Sequence, residues 1–229
     1  MMFYNQKVKI MTSYHIKLIA ALLMVVDHVG VVFFPDQLAF RYIGRLSFPL
    51  FAWLIGQGEK YTKDFNSYLI RLAVGAGISQ PLYYALFNFT NLNILVTLLI
   101  GLLAIRIGKL VSFKYLIWLT FAGVAQAINT SYGFYGILVI TVMSEFNSND
   151  FKWWLQWILV NLLVFVITSF KHYQLLALLT PLIIMLWNGK QGRKAKLFYL
   201  FYPVHLFILK VLVVLLLAKR YLMHVYWEL

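Results

Sequence analysis

Nine apolar runs separated by short polar stretches dominate this sequence. They lie roughly at residues 16–34, 42–58, 67–87, 92–108, 114–129, 133–145, 151–169, 173–188 and 197–218. A helix that crosses a bilayer needs about 20 mostly apolar residues, so the pattern predicts an all-α, polytopic integral-membrane bundle of about eight or nine transmembrane helices. The run at 133–145 is short for a span, and the run at 173–188 is marginal.

The composition supports a membrane protein and leaves little room for anything else. The chain is 62% hydrophobic and 12% charged, whereas a soluble domain is about half apolar and about a quarter charged. We therefore expect one integral-membrane domain over residues 1–229, with a basic leader at 1–15. Although the net charge is +13, the basic residues are scattered among apolar runs, so they form no surface for nucleic acid.

The absence of cysteine limits the chemistry of the chain. It excludes disulfides, thiol nucleophiles and cysteine-ligated metals. No histidine spacing typical of metal ligands is present either, so we expect no metal. Any catalysis must use histidine, carboxylates, arginine or hydroxyls.

The distribution of Lys and Arg between alternate loops predicts the orientation. One set carries the N-terminus, Lys60, Lys63, Arg106, Lys109, Lys114, Lys152, Lys190, Arg193, Lys194 and Lys196. The other set carries Arg41, Arg45, Lys171, Lys219 and Arg220. By the positive-inside rule, the N-terminus is cytoplasmic and the chain is a multi-pass protein of a cell membrane, typical of the bacterial cytoplasmic membrane. Nine spans would place the C-terminus outside the cell. The basic pair Lys219 and Arg220 argues against that placement and favours eight spans.

Two pairs of small residues one helical turn apart predict close helix packing. They are Ala73 with Gly77, and Gly123 with Ala127. Small residues at this spacing let neighbouring membrane helices approach closely.

Ionisable residues inside the apolar runs require an explanation, because placing each one in a membrane costs roughly 2.5–3.5 kcal/mol of free energy on insertion scales. Asp27 and His28, deep in the first run, are the clearest case. They point about 100° apart around a helix, so Asp27 cannot directly orient the neighbouring ring. We expect Asp27 to pair with Arg41 and Arg45, which lie one turn apart at the start of the second run.

His28 is the candidate for proton transfer. The unperturbed pKa of histidine is the nearest to neutrality of any side chain, so a deep His28 suits a general base. Lys17 lies eleven residues earlier on the same helix face, about 16 Å away along the axis. The alternative is a buried polar network that only fixes helix packing. His205, in the last run, has the same two interpretations: it is either a second functional histidine or a structural one.

A glycine-containing basic loop is the candidate for phosphate binding. Residues 188–196 read NGKQGRKAK and hold four positive charges. Such a loop either binds the phosphates of a nucleotide-like cofactor or sets topology by contact with anionic lipid. Lys60, Lys63 and Arg71, near the same face, carry the same two interpretations.

Several stretches together resemble the TraX family. The main ones are residues 18–30, LIAALLMVVDHVG, and residues 41–52, RYIGRLSFPLFA. Others follow in the same order: YLIRL at 68–72, SQP at 79–81, YG at 135–136, NGK at 188–190 and FYLFYPVH at 198–205. The similarity extends over most of the chain.

The resemblance implies an activity. TraX is known as the enzyme that acetylates the N-terminus of processed conjugative pilin, so it implies an integral-membrane acetyltransferase with acetyl-CoA as the donor. Lys17 and His28 also resemble the first-helix motif of the broader membrane acyltransferase family that O-acetylates cell-surface glycans. That similarity implies a catalytic His28, with Lys17 and Arg71 holding coenzyme A. The paired arginines of the broader family are absent, because Arg71 stands alone in the third run.

The residues and the resemblance agree on one hypothesis. Acetyl-CoA binds from the cytoplasm with its phosphates against Lys17, Arg71, Lys190 and Arg193. His28, assisted by Asp27, deprotonates an amine or hydroxyl of a peptide or glycan acceptor. The groups that position the acceptor or the oxyanion are Arg41, Arg45 and His205.

Two other functions stay open. In a proton-coupled transporter, Asp27, His28 and His205 would form a proton relay; the absence of a recognisable inverted repeat counts modestly against it. In a non-catalytic assembly factor for surface appendages, the same residues would only pack the helices.

Overall fold

The computed structural model describes residues 9–167, 172–194 and 198–227, with side chains at 9–166, 174–194 and 198–218. Residues 1–8 of the predicted leader, Lys171 and Lys196 lie outside the described residues, as do the side chains of Lys219 and Arg220. Within the described ranges the chain is all-helical, as predicted, and contains no β-strand.

The helices follow the predicted apolar runs closely. Their bounds are α1 Ser13–Phe33, α2 Leu38–Gly44, α3 Ser47–Tyr61, α4 Phe65–Phe87, α5 Ile94–Gly108, α6 Lys114–Ala127, α7 Gly133–Ser144, α8 Phe151–Ile167, a 3₁₀ helix His172–Leu179, α9 Thr180–Ile184 and α10 Phe198–Trp227. The 3₁₀ helix and α9 together occupy the marginal eighth run.

Among the residues that the structure describes, three helical segments are long and apolar enough to cross a membrane by length and composition. They are Ser13–Phe33, the combined α2 and α3 segment Leu38–Tyr61, and Phe198–Ala218. Four other apolar helices, within Ile94–Gly108, Gly133–Ser144, Phe151–Val166 and Gln174–Ile184, are shorter. The protein is therefore a helical membrane protein, and the number of spans stays a prediction.

The shortest of the predicted spans is an interior helix. α7 has 12 residues, about 18 Å of helix, which is less than the apolar core of a bilayer. Most of its residues are buried, and it packs against α3, α5, α6 and α8. Neighbouring helices therefore shield a segment too short to cross a bilayer by itself.

The bundle has two distinct ends. At the first, which we call the basic end, α1 begins beside the 188–194 segment, where the Ser13 amide donates to the Lys190 carbonyl at 2.9 Å. At the opposite end, the 88–93 and 129–132 segments meet, where the Leu92 amide donates to the Asn129 carbonyl at 2.9 Å. The ends of the helices alternate between these two faces along the chain.

Side chains of the polar segments start the helices at the basic end. Thr12 caps α1 in a reciprocal pair with His15, and Asp64 caps α4 through the Ser67 amide. The two hydrogen bonds from Ser67 hold the pKa of the Asp64 carboxyl below its usual range. These caps satisfy amides that a helix leaves without partners in its first turn.

The predicted span at 42–58 is interrupted, which the apolar pattern did not indicate. α2 ends at Gly44, and α3 starts at Ser47 after Arg45 and Leu46. Arg41 and Arg45 lie one turn apart, so both side chains reach Asp27 of α1 from the same face of this segment. A methyl group at Gly44 would collide with Asp27, so a glycine permits the close approach of α2 to α1.

The predicted packing role of the two small-residue pairs was wrong. Ala73, Gly77, Gly123 and Ala127 are exposed on the bundle, and nothing lies within 4 Å of a methyl group built at either glycine. Close helix contacts occur instead at other glycines, among them Gly30, Gly44, Gly56 and Gly101. Residue size alone does not tell which face of a helix meets a neighbour.

Lys210, a charged residue within the last apolar run, has a structural contact. Its Nζ donates to the Ala85 carbonyl at 2.7 Å, in the last turn of α4. A positive charge there complements the C-terminal end of the helix dipole. The contact ties α10 to α4.

Candidate functional site

The two histidines of the first and last apolar runs form a direct pair. His28 Nδ1 and His205 Nε2 lie 2.8 Å apart, although 177 positions separate them in sequence. His205 is buried, and its Nδ1 lies 3.0 Å from the Phe201 carbonyl oxygen. Phe87 and Tyr202 pack edge-on against the His28 ring. α1 and α10 thus build one polar site from opposite ends of the sequence.

The Phe201 carbonyl determines the protonation of both rings in their neutral form. A carbonyl only accepts, so His205 Nδ1 carries the hydrogen and donates. His205 Nε2 then holds a lone pair and accepts from His28 Nδ1. It follows that the proton of His28 lies on Nδ1, and that Nε2 presents a lone pair. That tautomer is the one a general base needs.

The predicted ion pair between Asp27 and the two arginines is present. Arg41 Nη1 donates to Asp27 Oδ2 at 3.0 Å. Arg45 Nη2 donates to both carboxylate oxygens of Asp27, at 3.0 and 3.2 Å. Exposure of the side chains is 13% for Asp27, 9% for Arg45 and 28% for Arg41. Arg45 is therefore enclosed, whereas Arg41 still faces open space.

A cavity of about 690 Å³ at the opposite end contains this cluster, and we call it the His28 cavity. Among the described residues, its charged lining consists of Asp27, Arg41 and Arg45, which together carry a net charge of +1. The rest of the polar lining consists of amides and hydroxyls, namely Ser47, Tyr83, Asn88, Thr90, Asn91, Gln126, Asn129, Thr130, Ser131, Tyr132, Tyr135, Gln174 and Tyr202. Such a surface binds polar groups through hydrogen bonds.

Hydrogen bonds between distant segments fix part of this lining. The Tyr83 hydroxyl lies 3.3 Å from Asn91 Oδ1 and 3.2 Å from Ser131 Oγ. Gln174 Nε2 donates to the Tyr135 hydroxyl at 2.9 Å, which in turn donates to Asn161 at 3.1 Å. Rigid polar groups of this kind give a binding site orientation and selectivity.

A second cavity, of about 640 Å³, lies at the basic end, and we call it the basic cavity. In the part of the chain that the structure describes, its lining contains Lys17, Arg71, Arg193 and Lys194 and no carboxylate. Within the described residues, none of these four cations forms an ion pair. Lys17 Nζ lies 5.1 Å from the Phe198 ring centre, and the Arg71 guanidinium lies 5.5 Å from that of Tyr199. The charge of this lining favours an anion over a cation.

A thin wall separates the two cavities. Four residues line both of them, namely Met24, Phe51, Ile94 and Tyr202. The wall is therefore one side chain thick at these positions. α1 runs past it, with Lys17 on one side and His28 on the other.

The structure brings most of the predicted site residues to one cavity or the other. Two of them line neither cavity: His205, which is buried behind His28, and Lys190, whose side chain is exposed and whose carbonyl contacts α1. Lys194, its neighbour in the same basic loop, lines the cavity instead.

The sequence did not predict the hydroxyl and amide residues that line the His28 cavity. It did not predict the residues of the wall either. Tyr202 offered one signal, since it lies three residues before His205 and faces the same side of a helix. Tyr83, Asn91 and Ser131 offered no such signal, because hydroxyl and amide side chains are common in any sequence.

Comparison with known proteins identifies the family. The model of the TraX protein family matches residues 13–213. The chain belongs to the TraX family. The TraX match begins at the first residue of α1 and includes every residue of both cavities and His205. The prediction of the family from sequence is therefore confirmed.

A curated relative of this TraX protein is a probable fimbrial assembly protein FimC, serogroup H1, of Dichelobacter nodosus. The two are 25% identical over 229 residues, covering 86% of this chain and 94% of the relative. No solved structure matches the chain significantly.

Proposed function

We propose that this TraX-family protein is a membrane acetyltransferase that moves an acetyl group from cytoplasmic acetyl-CoA to an acceptor at the opposite face. The observation that carries the proposal is that the two cavities lie on opposite sides of one thin wall. A carboxylate-free basic cavity lies on one side, and a histidine with a defined lone pair lies on the other.

The proposed topology follows from the two ends of the bundle. The helices pass between the ends nine times if α2 with α3, and the 3₁₀ helix with α9, each count once. The positive-inside rule assigns the basic end, and with it the N-terminus, to the cytoplasm. The His28 cavity then faces the outside of the cell membrane.

The basic cavity suits coenzyme A in three respects. The four cations of its lining, which form no ion pair among the described residues, match the phosphates of coenzyme A. Aromatic lining residues such as Tyr14, Tyr61 and Trp187 offer flat surfaces for the adenine ring. Leu54, Leu95 and Leu98 provide apolar surface for the pantetheine arm, deeper in the cavity.

The residues of the His28 cavity supply the remaining steps. Acetyl-CoA supplies an acetyl group activated as a thioester. His28 Nε2 removes the proton from the acceptor oxygen or nitrogen as that atom bonds to the acetyl carbon. Arg45 and Arg41 stabilise the negative charge that develops on the acetyl oxygen. As the carbon–sulfur bond breaks, His28 returns its proton to the sulfur. His205 and Asp27 position His28 and the arginines.

The name of the relative supports a connection with fimbriae. A probable fimbrial assembly protein of similar length matches most of this chain. We infer that the acceptor is a surface molecule, either a peptide such as pilin or a glycan.

A proton-coupled transporter is a second candidate, favoured by the same two cavities. A carrier also has cavities on opposite faces of a thin barrier. It would not need the four cations of the basic cavity. A carrier would translocate its solute without consuming acetyl-CoA, whereas a transferase would release CoA.

The first test is binding of acetyl-CoA to the detergent-solubilised protein. We expect Lys17→Gln and Arg71→Gln to weaken binding by about tenfold each, the loss of one charge-assisted contact. Lys190→Gln is the matched control, since Lys190 lies in the same basic end but outside the cavity. Equal binding by all three variants would exclude the basic cavity as the donor site. If the wild-type protein bound no acetyl-CoA, the transferase proposal would be wrong.

A further inference from the structure

We propose that the Tyr202 hydroxyl binds the carbonyl oxygen of the acetyl group as that group passes through the wall between the two cavities. The inference rests on the proposed acetyltransferase function and adds a catalytic residue to it. It derives from the polar groups inside the wall, which the proposed steps do not use.

Tyr202 is the polar member of the wall. The other three residues, Met24, Phe51 and Ile94, have apolar side chains, and all four line both cavities. The ring centre of Tyr202 lies 6.4 Å from that of His28. An acetyl group that travels from the basic cavity to His28 therefore passes beside the Tyr202 side chain.

The Tyr202 hydroxyl has no acceptor among the described residues. The residue is 4% exposed, and its hydroxyl oxygen is buried without a hydrogen-bond partner in the described part of the chain. A buried polar group in this condition costs about 1–3 kcal/mol of folding free energy, so native proteins provide partners for most such groups. A carbonyl oxygen that enters the wall would supply the missing acceptor.

The first turn of α5 faces the same hydroxyl. Asn93 caps this helix, and its Oδ1 and carbonyl oxygen accept from the amides of Leu95 and Val96, each at 3.0 Å. The Ile94 amide approaches the Tyr202 oxygen instead. Because an amide only donates, the hydroxyl hydrogen stays available for an acceptor. The positive end of the helix dipole also favours an oxygen that gains negative charge.

The hydroxyl acts by hydrogen bonding alone. As the acceptor atom bonds to the acetyl carbon, an electron pair of the carbonyl double bond moves to the oxygen, and the hydrogen bond from Tyr202 strengthens. The pair returns as the carbon–sulfur bond breaks, and Tyr202 keeps its proton throughout. Arg41 and Arg45 supply positive charge from the His28 cavity, whereas Tyr202 supplies a neutral donor inside the wall.

Two donor analogues of similar size test the contact in Tyr202→Phe, which removes the hydroxyl and keeps the ring. Acetyl-CoA carries the carbonyl oxygen, and S-ethyl-CoA lacks it. We expect the wild type to bind acetyl-CoA about fivefold more tightly than S-ethyl-CoA, the factor supplied by one hydrogen bond, and Tyr202→Phe to lose this preference. With acetyl-CoA labelled with carbon-13 at the carbonyl, the infrared stretching band of the bound group should lie at a lower frequency in the wild type than in Tyr202→Phe.

Transfer should be affected more than binding, because the hydrogen bond strengthens as negative charge develops. We expect acceptor-free CoA release to fall by about 100-fold in Tyr202→Phe, the usual loss for one donor to an oxyanion. Tyr84→Phe is the matched control, because Tyr84 is exposed on α4 and lines neither cavity. It should keep the wild-type preference, band and rate.

A Tyr202→Phe protein with an unchanged rate, an unchanged preference or an unchanged carbonyl band would overturn the inference, since the hydroxyl would then not contact the carbonyl oxygen. The comparison of the two analogues in the wild type needs no variant. Equal binding of acetyl-CoA and S-ethyl-CoA by the wild type would therefore overturn the inference even if Tyr202→Phe failed to fold. A wild-type protein that bound no acetyl-CoA or released no CoA would instead refute the acetyltransferase proposal itself.

Discussion

At the scale of single residues, the contact with His205 sets the tautomer of His28 that the proposed proton transfer requires. The Phe201 carbonyl fixes the hydrogen of His205 on Nδ1, and His205 fixes that of His28 on Nδ1. The lone pair of His28 Nε2 is thereby defined before any substrate binds. Preorganisation of this kind avoids a reorganisation cost during the reaction.

Replacing His205 tests this relay. In His205→Phe, His28 Nδ1 loses its acceptor, so the Nε2–H tautomer becomes populated. We expect CoA release to fall by about 100-fold, within the range typical of general acid–base catalysis, while acetyl-CoA binding stays unchanged. Nitrogen-15 NMR of the imidazoles should show the change of tautomer at His28. An unchanged His28 spectrum would contradict the relay.

Replacing Asp27 tests the charge cluster. Asp27→Asn leaves two guanidinium groups together in a mostly enclosed site, and breaking such a pair costs about 3 kcal/mol. We expect a clear drop in the melting temperature in detergent. Asp64→Asn is the matched control, because Asp64 is exposed and asparagine also caps helices. Equal melting temperatures for the two variants would refute a structural role for the cluster.

These residues differ in how far sequence alone could predict their contacts. The pairing of Asp27 with Arg41 and Arg45 was predictable, because a carboxylate inside an apolar helix needs a nearby cation and these two lie close in sequence. The contact between His28 and His205 was not predictable from the chain alone. It depends on how α1 and α10 pack, and nothing in the local sequence encodes that.

At the scale of helices, the glycine of α2 sets the distance between α1 and α2. Gly44 lies against Asp27, whereas Gly77 of α4 faces open space. The apolar pattern predicted the position of nearly every helix, but it gave no sign of the break between α2 and α3. Arg45, at the break, is one of the two partners of Asp27, and periodicity does not report such a tertiary contact.

Two alanine substitutions test the close packing of α1 and α2. Gly44→Ala should destabilise the protein by about 1–3 kcal/mol, the usual cost of overpacking. Gly77→Ala should be neutral or should stabilise α4 by up to about 1 kcal/mol. Thermal unfolding in detergent measures both. A Gly44→Ala protein as stable as the Gly77→Ala protein would show that α2 does not rest on Asp27.

At the scale of the whole molecule, the two cavities and their wall connect the charge pattern with the proposed chemistry. Sequence predicted a basic cytoplasmic face and a deep histidine, because charge and hydropathy are visible along the chain. It did not predict the wall, since Met24, Phe51, Ile94 and Tyr202 come from four helices. Nor did it distinguish Lys190 from Lys194, which differ only in the direction of their side chains.

A larger side chain in the wall should separate donor binding from transfer. In Ile94→Phe, we expect acetyl-CoA to bind as in the wild type, while CoA release falls by at least about tenfold, a barrier increase of about 1.4 kcal/mol. Ile78→Phe is the control, since Ile78 is exposed on α4. Normal CoA release by the Ile94→Phe protein would mean that the acetyl group does not pass this point.

The most direct measurement compares CoA release from acetyl-CoA by the wild type, His28→Gln and His15→Gln, all in detergent and without acceptor. Each variant replaces one histidine of α1, and glutamine can maintain the cap at position 15. We predict slow release by the wild type and His15→Gln, and a loss of at least about 100-fold in His28→Gln. Equal release by His28→Gln and the wild type would contradict His28 as the catalytic base.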